Sequence, residues 1–340
     1  MLHRIVLFPH GLEMGGVSIY CAELAIQLDK LGHKVLIATL SDGIWGDYLR
    51  EYNIPVRVLS RQEELEQVAI EFDADILHGN TCCGGSYACS VAKKLGIVGG
   101  ETIHSCVPGT NPEADFEIAT SKILERLRPK CTAIYNAINP DRVAITIDKA
   151  TMRRNLNIPE DAFVIGRNGR IDHSKLPVVF IDVLSRIPDA YGILSGDGPH
   201  YDDMIGLSER FGVSDRIRLP GLVYNVGNMI NAMDIFVYPT EDELSCTSVL
   251  EAALVGIPVV CYIRGGMGEI IVHGSTGLVA NSVEELVKYV NNIRADPELG
   301  RRLATAAKEL VLSNGMCNLE RLAVEHLQVY ERAIEASKQS

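Results

Sequence analysis

The sequence predicts an α/β protein made of two doubly wound, mostly parallel sheets. Three observations predict it. Apolar runs of strand length alternate with longer stretches of helical periodicity. The alternation occurs twice, on either side of a polar, mixed stretch at residues 141–162. The 340 residues are enough for two domains of ordinary size. Alternating strands and helices of this kind build parallel sheets through crossover helices.

The first series starts at once. Residues 5–8 read as a strand and 11–16 as a loop containing Gly15-Gly16. Residues 17–31 read as a helix whose inner face is Ile19, Ala22, Leu24, Ala25, Ile26 and Leu28, stopped by Gly32. Strands follow at 35–39 and 56–59, a helix at 64–72, a strand ending in Ile76-Leu-His78, a helix at 87–95 and a strand at 101–104. Residues 131–140 read as the last strand and exit turn of the first half, and 141–162 suit a crossing linker.

The second series opens with a strand at 163–165 and continues with strands at 190–194, 217–219, 235–238 and 259–261. Helices are expected at 201–211, 247–255, 284–296, 297–313 and 319–336. The stretch 238–260 organises this half. An apolar strand ends at Tyr238, and a polar loop follows with Glu241, Asp242 and Glu243. A short helix then runs to Val255, closed by Gly256 and Pro258. The start of a helix offers unpaired N–H groups and partial positive charge, a ready phosphate site, here near Cys246, Thr247 and Ser248. Glu251, eight positions after Glu243, can reach a sugar diol beside that phosphate, as acidic residues reach ribose in other nucleotide sites. Taken alone, the same residues also fit a solvated acidic loop and a glutamate that only favours the helix dipole.

Composition excludes several classes. At 47% hydrophobic and 22% charged residues the chain is that of a soluble globular protein, and no apolar run reaches the length of a membrane span. The opening residues are too short a run for a signal peptide, so the expected location is cytoplasmic. A net charge of −12 argues against nucleic acid as a partner and weakens the case for an anionic membrane. The nine cysteines, including Cys82-Cys83, have no Cys-x-x-Cys spacing and read as reduced, mostly buried thiols.

In doubly wound sheets, ligands bind at the carboxyl ends of the strands. The residues there include His10, Gly15, Gly16, His78, Asn80 and His104 in the first half. In the second they include Arg170, Lys175, Asp197, Gly198, Glu243, Glu251, Gly265 and Gly266. Gly15-Gly16 between a strand and a helix lets the backbone approach a phosphate, or is a plain turn; Gly-x-Gly-x-x-Gly is absent. Arg170 and Lys175 suit a diphosphate, or are a solvated surface pair. His104 is a functional or a structural histidine, and no His-Glu-x-x-His metal spacing occurs. Asp197-Gly-Pro199 is most simply a turn.

These residues fall in the order and spacing of a known family. Asp234-Ile-Phe-Val-Tyr-Pro-Thr240, Glu243, Glu251-Ala-Ala-Leu-Val-Gly-Ile-Pro-Val-Val260, Gly265-Gly-Met-Gly-Glu269 and Gly274-Ser-Thr-Gly277 carry the match. Asn168-Gly-Arg-Ile-Asp-His-Ser-Lys175, Gly196-Asp-Gly-Pro199 and Pro220-Gly221 extend it. Gly15-Gly16, Asp75-Ile-Leu-His78, Thr102-Ile-His104 and Tyr135-Asn136 fit less tightly. The chain resembles the retaining glycosyltransferases of family four, the group 1 glycosyltransferases. The resemblance implies the GT-B fold, with two Rossmann-like domains facing across a cleft. The domains it implies are an acceptor-side domain at 1–145, a nucleotide-sugar domain at 146–318, and a C-terminal helix at 319–340 packing back on the first.

The resemblance also implies roles. Glu251 would hold the ribose of a nucleotide sugar, and Glu243 would contact the donor sugar. Arg170 and Lys175 would neutralise the diphosphate, cradled by Gly15, Gly16 and the N–H groups near Thr247 and Ser248. His104 would lie beside the reacting sugar, and the base near Gly221 and Leu222. No cofactor and no metal are expected, the nucleotide diphosphate sugar being a substrate. The expected partner is that nucleotide sugar, UDP- or GDP-type, with a soluble small molecule or glycan as acceptor. The departures are Leu176 for a Gly after the Lys, Ala137 for a Gly after Asn136, Asn80 for a second His, and Leu244 for a Gly after the first Glu. A nucleotide-sugar 2-epimerase of the same fold and a non-catalytic nucleotide-sugar-binding subunit are the alternatives.

Overall fold

The computed structural model describes residues 2–13, 15–81, 85–105, 109–128, 131–240, 243–262 and 265–339. Cys82-Cys83 and the loop residues Glu241 and Asp242 lie outside the described residues. The chain divides into two compact units, Met1–Ala137 with Asn318–Ser340, and Ile138–Cys317.

The first unit holds strands β1 (Arg4–Pro9), β2 (Lys34–Thr39), β3 (Val56–Val58), β4 (Ile76–Thr81), β5 (Val98–Ile103), β6 (Phe116–Ala119) and β7 (Cys131–Ala133). They form one parallel sheet in the order β3-β2-β1-β4-β5-β6-β7. Its helices are α1 (Gly16–Lys30), α2 (Ile44–Glu51), α3 (Leu65–Phe72), α4 (Tyr87–Leu95) and α5 (Lys122–Leu127). Helix α1 buries Tyr20, Cys21, Leu24, Ala25 and Leu28 against β1 and β2. Burial of Leu24 or Leu28 stabilises the unit by roughly 1.5–3 kcal/mol each. Strand β5 begins at Val98, earlier than its apolar pattern suggests. Both Gly99 and Gly100 lie in this strand, and glycine is required there because a Cβ would strike Ala92 or the Phe116 ring.

The second unit holds helix α6 (Lys149–Asn155), strand β8 (Phe163–Asn168), helix α7 (Pro177–Ser185), strand β9 (Ala190–Ser195), helix α8 (Asp203–Arg210) and strand β10 (Ile217–Gly221). Helix α9 (Val226–Asn231), strand β11 (Ile235–Tyr238), helix α10 (Thr247–Val255), strand β12 (Val259–Tyr262) and strand β13 (Leu278–Ala280) follow. Helices α11 (Val283–Ala295) and α12 (Pro297–Ser313) close the unit. Its sheet, also parallel, runs β10-β9-β8-β11-β12-β13. The order reverses between β8 and β11, so the loops after these two strands flank the switch point where doubly wound sheets take ligands.

Residues 138–162 are not a bare linker. Ile138 donates its N–H to the Met316 carbonyl, and Thr146 and Ile147 donate theirs to Asn228. Arg153, buried, donates to the carbonyls of Ala232, Glu160 and Ala162 and to the Asp234 carboxylate, which Lys149 also reaches at 2.6 Å. These bonds attach the stretch to the second unit, and the first unit accordingly ends at Ala137. The last helix, α13 (Leu319–Ser337), belongs to the first unit and packs on α1, β5 and β6.

Candidate active site

In the second unit, the site is built on the loops after β8 and β11. Helix α10 starts at Thr247 with no side-chain cap on Cys246, so its first N–H groups are not taken by a capping side chain. Ser248, in its first turn, lies close to Gly169. A Cβ on Gly169 would come within 3.0 Å of the Ser248 hydroxyl oxygen. The loop after β8 runs Gly169 to Lys175 and is clamped from below. Gly169 and Ile171 donate to the carbonyls of Ser195 and Asp197 at 3.1 and 2.8 Å. The turn 196–199 is therefore more than a chain reversal. Gly196, at φ 132°, is the residue that lets the Gly169 carbonyl approach, since a Cβ there would sit 2.0 Å from its oxygen.

On this loop Arg170, half-exposed, pairs with Asp172 at 2.5 Å. Lys175, largely buried, forms an ion pair with Glu243, to which the Tyr238 hydroxyl also donates at 3.4 Å. Glu251 is buried one turn into α10. Its Oε1 accepts from Arg142 Nη2 and its Oε2 from Asn168 Nδ2, both at 3.0 Å. Gly221 ends β10 at φ 72° and gives its carbonyl to the Gly196 N–H at 2.8 Å, and Leu222 follows it, exposed. The second unit thus gathers Arg170, Lys175, Glu243, Thr247, Ser248, Glu251, Gly221 and Leu222 at the carboxyl end of its sheet.

Gly15, Gly16 and His104 belong to the first unit. Gly15 stands at the start of α1, where an added Cβ would meet nothing within 4 Å. No packing contact among the described residues demands a glycine there. His104 follows β5 and packs edge-on against Tyr20 of α1, with ring centroids 4.9 Å apart. Its Nε2 is buried and has no hydrogen-bond partner among the described residues. Burial, helped by nearby His326, pushes its pKa down to about 3, so the ring is neutral at ordinary pH. Both amide atoms of Asn80, at the end of β4, are likewise buried and unpartnered among the described residues.

Beneath His104 a polar chain crosses the core. His326 Nδ1 donates to the Leu322 carbonyl at 2.6 Å, which fixes its tautomer and leaves Nε2 to accept from Tyr20. The Tyr20 oxygen then accepts from Thr102 at 3.2 Å. Thr102 in turn accepts from His78 Nε2 at 2.8 Å, and His78 Nδ1 accepts from Tyr330 at 2.5 Å. Every proton has a place with both histidines neutral. Burial accordingly lowers both pKa values, that of His326 to about 4.

Sequence reading missed Arg142, Asn168, Tyr238 and Asp172 as supports of the site residues. Among the described residues no group of three or more His, Cys, Asp or Glu is placed to hold a metal ion. Cys21, Cys89, Cys131, Cys246, Cys261 and Cys317 are free thiols, and all but Cys317 are buried.

Two parallel, Rossmann-like halves with the switch-point loops occupied in this way define an α/β protein of the GT-B class. The family model described as Glycosyl transferases group 1 matches residues 148–310, and that described as Glycosyltransferase Family 4 matches residues 14–137. The chain belongs to the group 1 glycosyltransferases, family four. It is 30% identical to the lipopolysaccharide core biosynthesis glycosyltransferase LpsE of Rhizobium meliloti over 182 residues, 53% of either chain. It is 24% identical to the N-acetyl-alpha-D-glucosaminyl L-malate synthase of Bacillus anthracis over 344 residues, 88% of this chain and 90% of that one. The chain thus spans about half the length of the first relative and nine-tenths of the second. Among solved structures, HepE of Anabaena in complex with UDP and glucose superposes with a TM-score of 0.84 at 19% identity, covering 97% of this chain and 99% of that one.

Proposed function

We propose that the protein transfers a sugar from a nucleotide diphosphate sugar, UDP- or GDP-type, to an acceptor hydroxyl with retention at the anomeric carbon. The observation that carries this reading is the convergence in the second unit of two cations, two carboxylates and an uncapped helix start on one switch point. A diphosphate needs cations and N–H donors, and a ribose needs a fixed carboxylate. HepE, whose structure contains UDP and glucose, supports a UDP-sugar as the first donor to try.

In this reaction the bond from the anomeric carbon to the diphosphate oxygen breaks. The acceptor hydroxyl forms the new bond on the same face and gives its proton to a diphosphate oxygen. Arg170, Lys175 and the N–H groups of Thr247 and Ser248 stabilise the charge that develops on the leaving group. Glu251 accepts from the ribose hydroxyls, Glu243 contacts the donor sugar, and the base lies against Gly221 and Leu222. For the first unit the reading assigns Gly15 and Gly16 to phosphate contact. It assigns neutral His104, with its unpartnered Nε2, to a hydrogen bond with the reacting sugar.

Because the basic pair meets the diphosphate charge, turnover is expected to need no divalent ion. If chelation stopped the reaction and a divalent ion restored it, that part of the mechanism would fall. The acceptor is assigned as a soluble small molecule or glycan met in the cytoplasm. Among the described residues no helix is long and apolar enough to cross a membrane. The relative from Bacillus anthracis is named for a sugar conjugate of L-malate. Strong binding to anionic vesicles at physiological salt would count against a soluble acceptor.

The experiment that tests the whole reading is a screen of nucleotide sugars for slow hydrolysis and nucleotide release, with NMR of the anomeric product. Release of a free 2-epimer without acceptor would identify an epimerase. Tight nucleotide binding with no turnover on any donor would identify a binding subunit.

A further inference from the structure

Among the described residues Arg167 is the largest side chain that is wholly buried. It sits inside β8, in a run that otherwise reads as the apolar strand of a parallel sheet. A buried charge is normally paired, because removing it from water costs several kcal/mol. Arg167 makes no such pair among the described residues. The carboxylates whose charge it feels, Asp172 and Glu243, are already taken by Arg170 and Lys175. Its Nη1 donates to the Lys175 carbonyl at 2.5 Å and its Nη2 to the Arg170 carbonyl at 3.4 Å. Its guanidinium carbon lies 5.3 Å from the centre of the Tyr238 ring. Its Nε is buried with no hydrogen-bond partner among the described residues.

These contacts have one direction. Both carbonyls belong to the two residues assigned to the diphosphate, and Tyr238 carries the hydroxyl that meets Glu243. A neutral donor could hold two carbonyls without the cost of a buried charge. Arginine is the side chain that keeps its charge when desolvated, although burial lowers its pKa. In a low-dielectric interior that charge acts over a longer range than it would in water.

We propose that Arg167 is a buried counter-charge for the diphosphate. It is a third cation that acts from behind the loop without touching the ligand, while its two carbonyl contacts position Arg170 and Lys175. The inference rests on the reading of this loop as a diphosphate site. It makes Arg167 a positioning and selectivity residue whose charge has no dedicated carboxylate among the described residues.

The test is calorimetric binding of UDP and GDP to the full chain, with ligand-observed NMR for uridine and guanosine, beside the thermal midpoint. Arg167→Met keeps an unbranched side chain and removes the charge. Its diphosphate affinity should fall tenfold or more, about 1.4 kcal/mol. Nucleoside affinity should stay within about twofold, while the thermal midpoint should fall as the Arg170 and Lys175 carbonyls lose their donor. A residue that was only structural would lose midpoint while keeping the ratio of diphosphate to nucleoside affinity. That outcome overturns the proposal. If Arg167→Met does not fold, Arg167→Lys decides. A diphosphate preference kept within about threefold supports the role of charge, and its loss refutes it. Arg170→Ala and Lys175→Ala separate the two levels of the argument. If both keep full diphosphate affinity, the functional reading itself fails. If both lose it while Arg167→Met does not, only the buried counter-charge fails.

Discussion

Arg142 donates from Nη2 to Oε1 of Glu251 across 3.0 Å and so joins a turn at the entry of the second unit to helix α10, 109 residues later. Asn168 holds the other oxygen. The carboxylate assigned to the ribose is thus fixed before any ligand arrives, with lone pairs still open on both oxygens. Breaking one side of a buried ion pair is costly because the remaining charge is stranded. Arg142→Ala should therefore lower stability by about 3 kcal/mol, and the Arg142→Ala, Glu251→Ala double variant should cost less than the sum of the singles. Urea unfolding of the four proteins measures the coupling. Simple additivity would mean that the pair does not organise the site.

The neutral histidines of the first unit predict a pH dependence of known sign. His326 is held at about 4 and His104 at about 3, against an ordinary 6.5, and buried His78 is lowered as well. Folded pKa values below the unfolded ones mean that the unfolded chain takes up protons first as pH falls. The stability they contribute is complete above pH about 6.5 and is lost as pH drops towards 4, each group contributing about 1.4 kcal/mol per pH unit there. Unfolding of the protein at a series of pH values should show this decline, and His326→Gln should make it shallower. A flat profile between pH 6.5 and 5 would contradict neutral burial of these rings.

Leu176 is a non-glycine residue at φ 45°, ψ 50°, between the Lys175 turn and Pro177 of α7. A Cβ in that left-handed region costs about 1–2 kcal/mol. The usual preference for alanine over glycine should therefore reverse at this site. Leu176→Gly is expected to be more stable than Leu176→Ala by about 1 kcal/mol, both having lost the same side-chain contacts. Comparing the two variants by denaturant midpoint cancels the effect of burial. An Ala variant equal to or above the Gly variant would show that the loop relaxes.

How far the sequence reaches is clear from individual elements. Residues 235–238 and 247–255 come out as expected because apolar runs end there at strong punctuation, Gly256 and Pro258 above all. Helix α7 is missed because Pro177 to Ser185 is rich in β-branched residues and has no polar face to show a helical period. Strand β6 is missed because Glu117 interrupts it, and only the fold reveals the Arg128 guanidinium that neutralises that carboxylate in the core. For the site, charged residue types at strand ends were legible. Their supports were not, since Arg142, Asn168 and Asp172 are recognisable only by what they touch, and two of these contacts cross more than eighty residues. Arg167 did leave a signal, a lone cation just past an apolar strand run, which the reading passed over.

The cations of the diphosphate loop give the sharpest test of the active-site assignment. Arg170 is half-exposed and its ionic contact is Asp172, while Lys175 meets Glu243 at the edge of the site. Neither side chain is among the buried core residues of the second unit. Alanine at either position should therefore leave the thermal midpoint within a few degrees. A cation aimed at a charge developing in a dry site contributes roughly 3 kcal/mol, on the order of a hundredfold in rate. On a solvated surface the same group would contribute under about 1 kcal/mol. Turnover with the best donor should fall on the order of a hundredfold for Arg170→Ala and for Lys175→Ala. Arg170→Lys should also be poor, because an ammonium cannot reproduce a two-pronged grip on phosphate oxygens. Near wild-type turnover in both alanine variants would remove the diphosphate from this loop, and the active site with it.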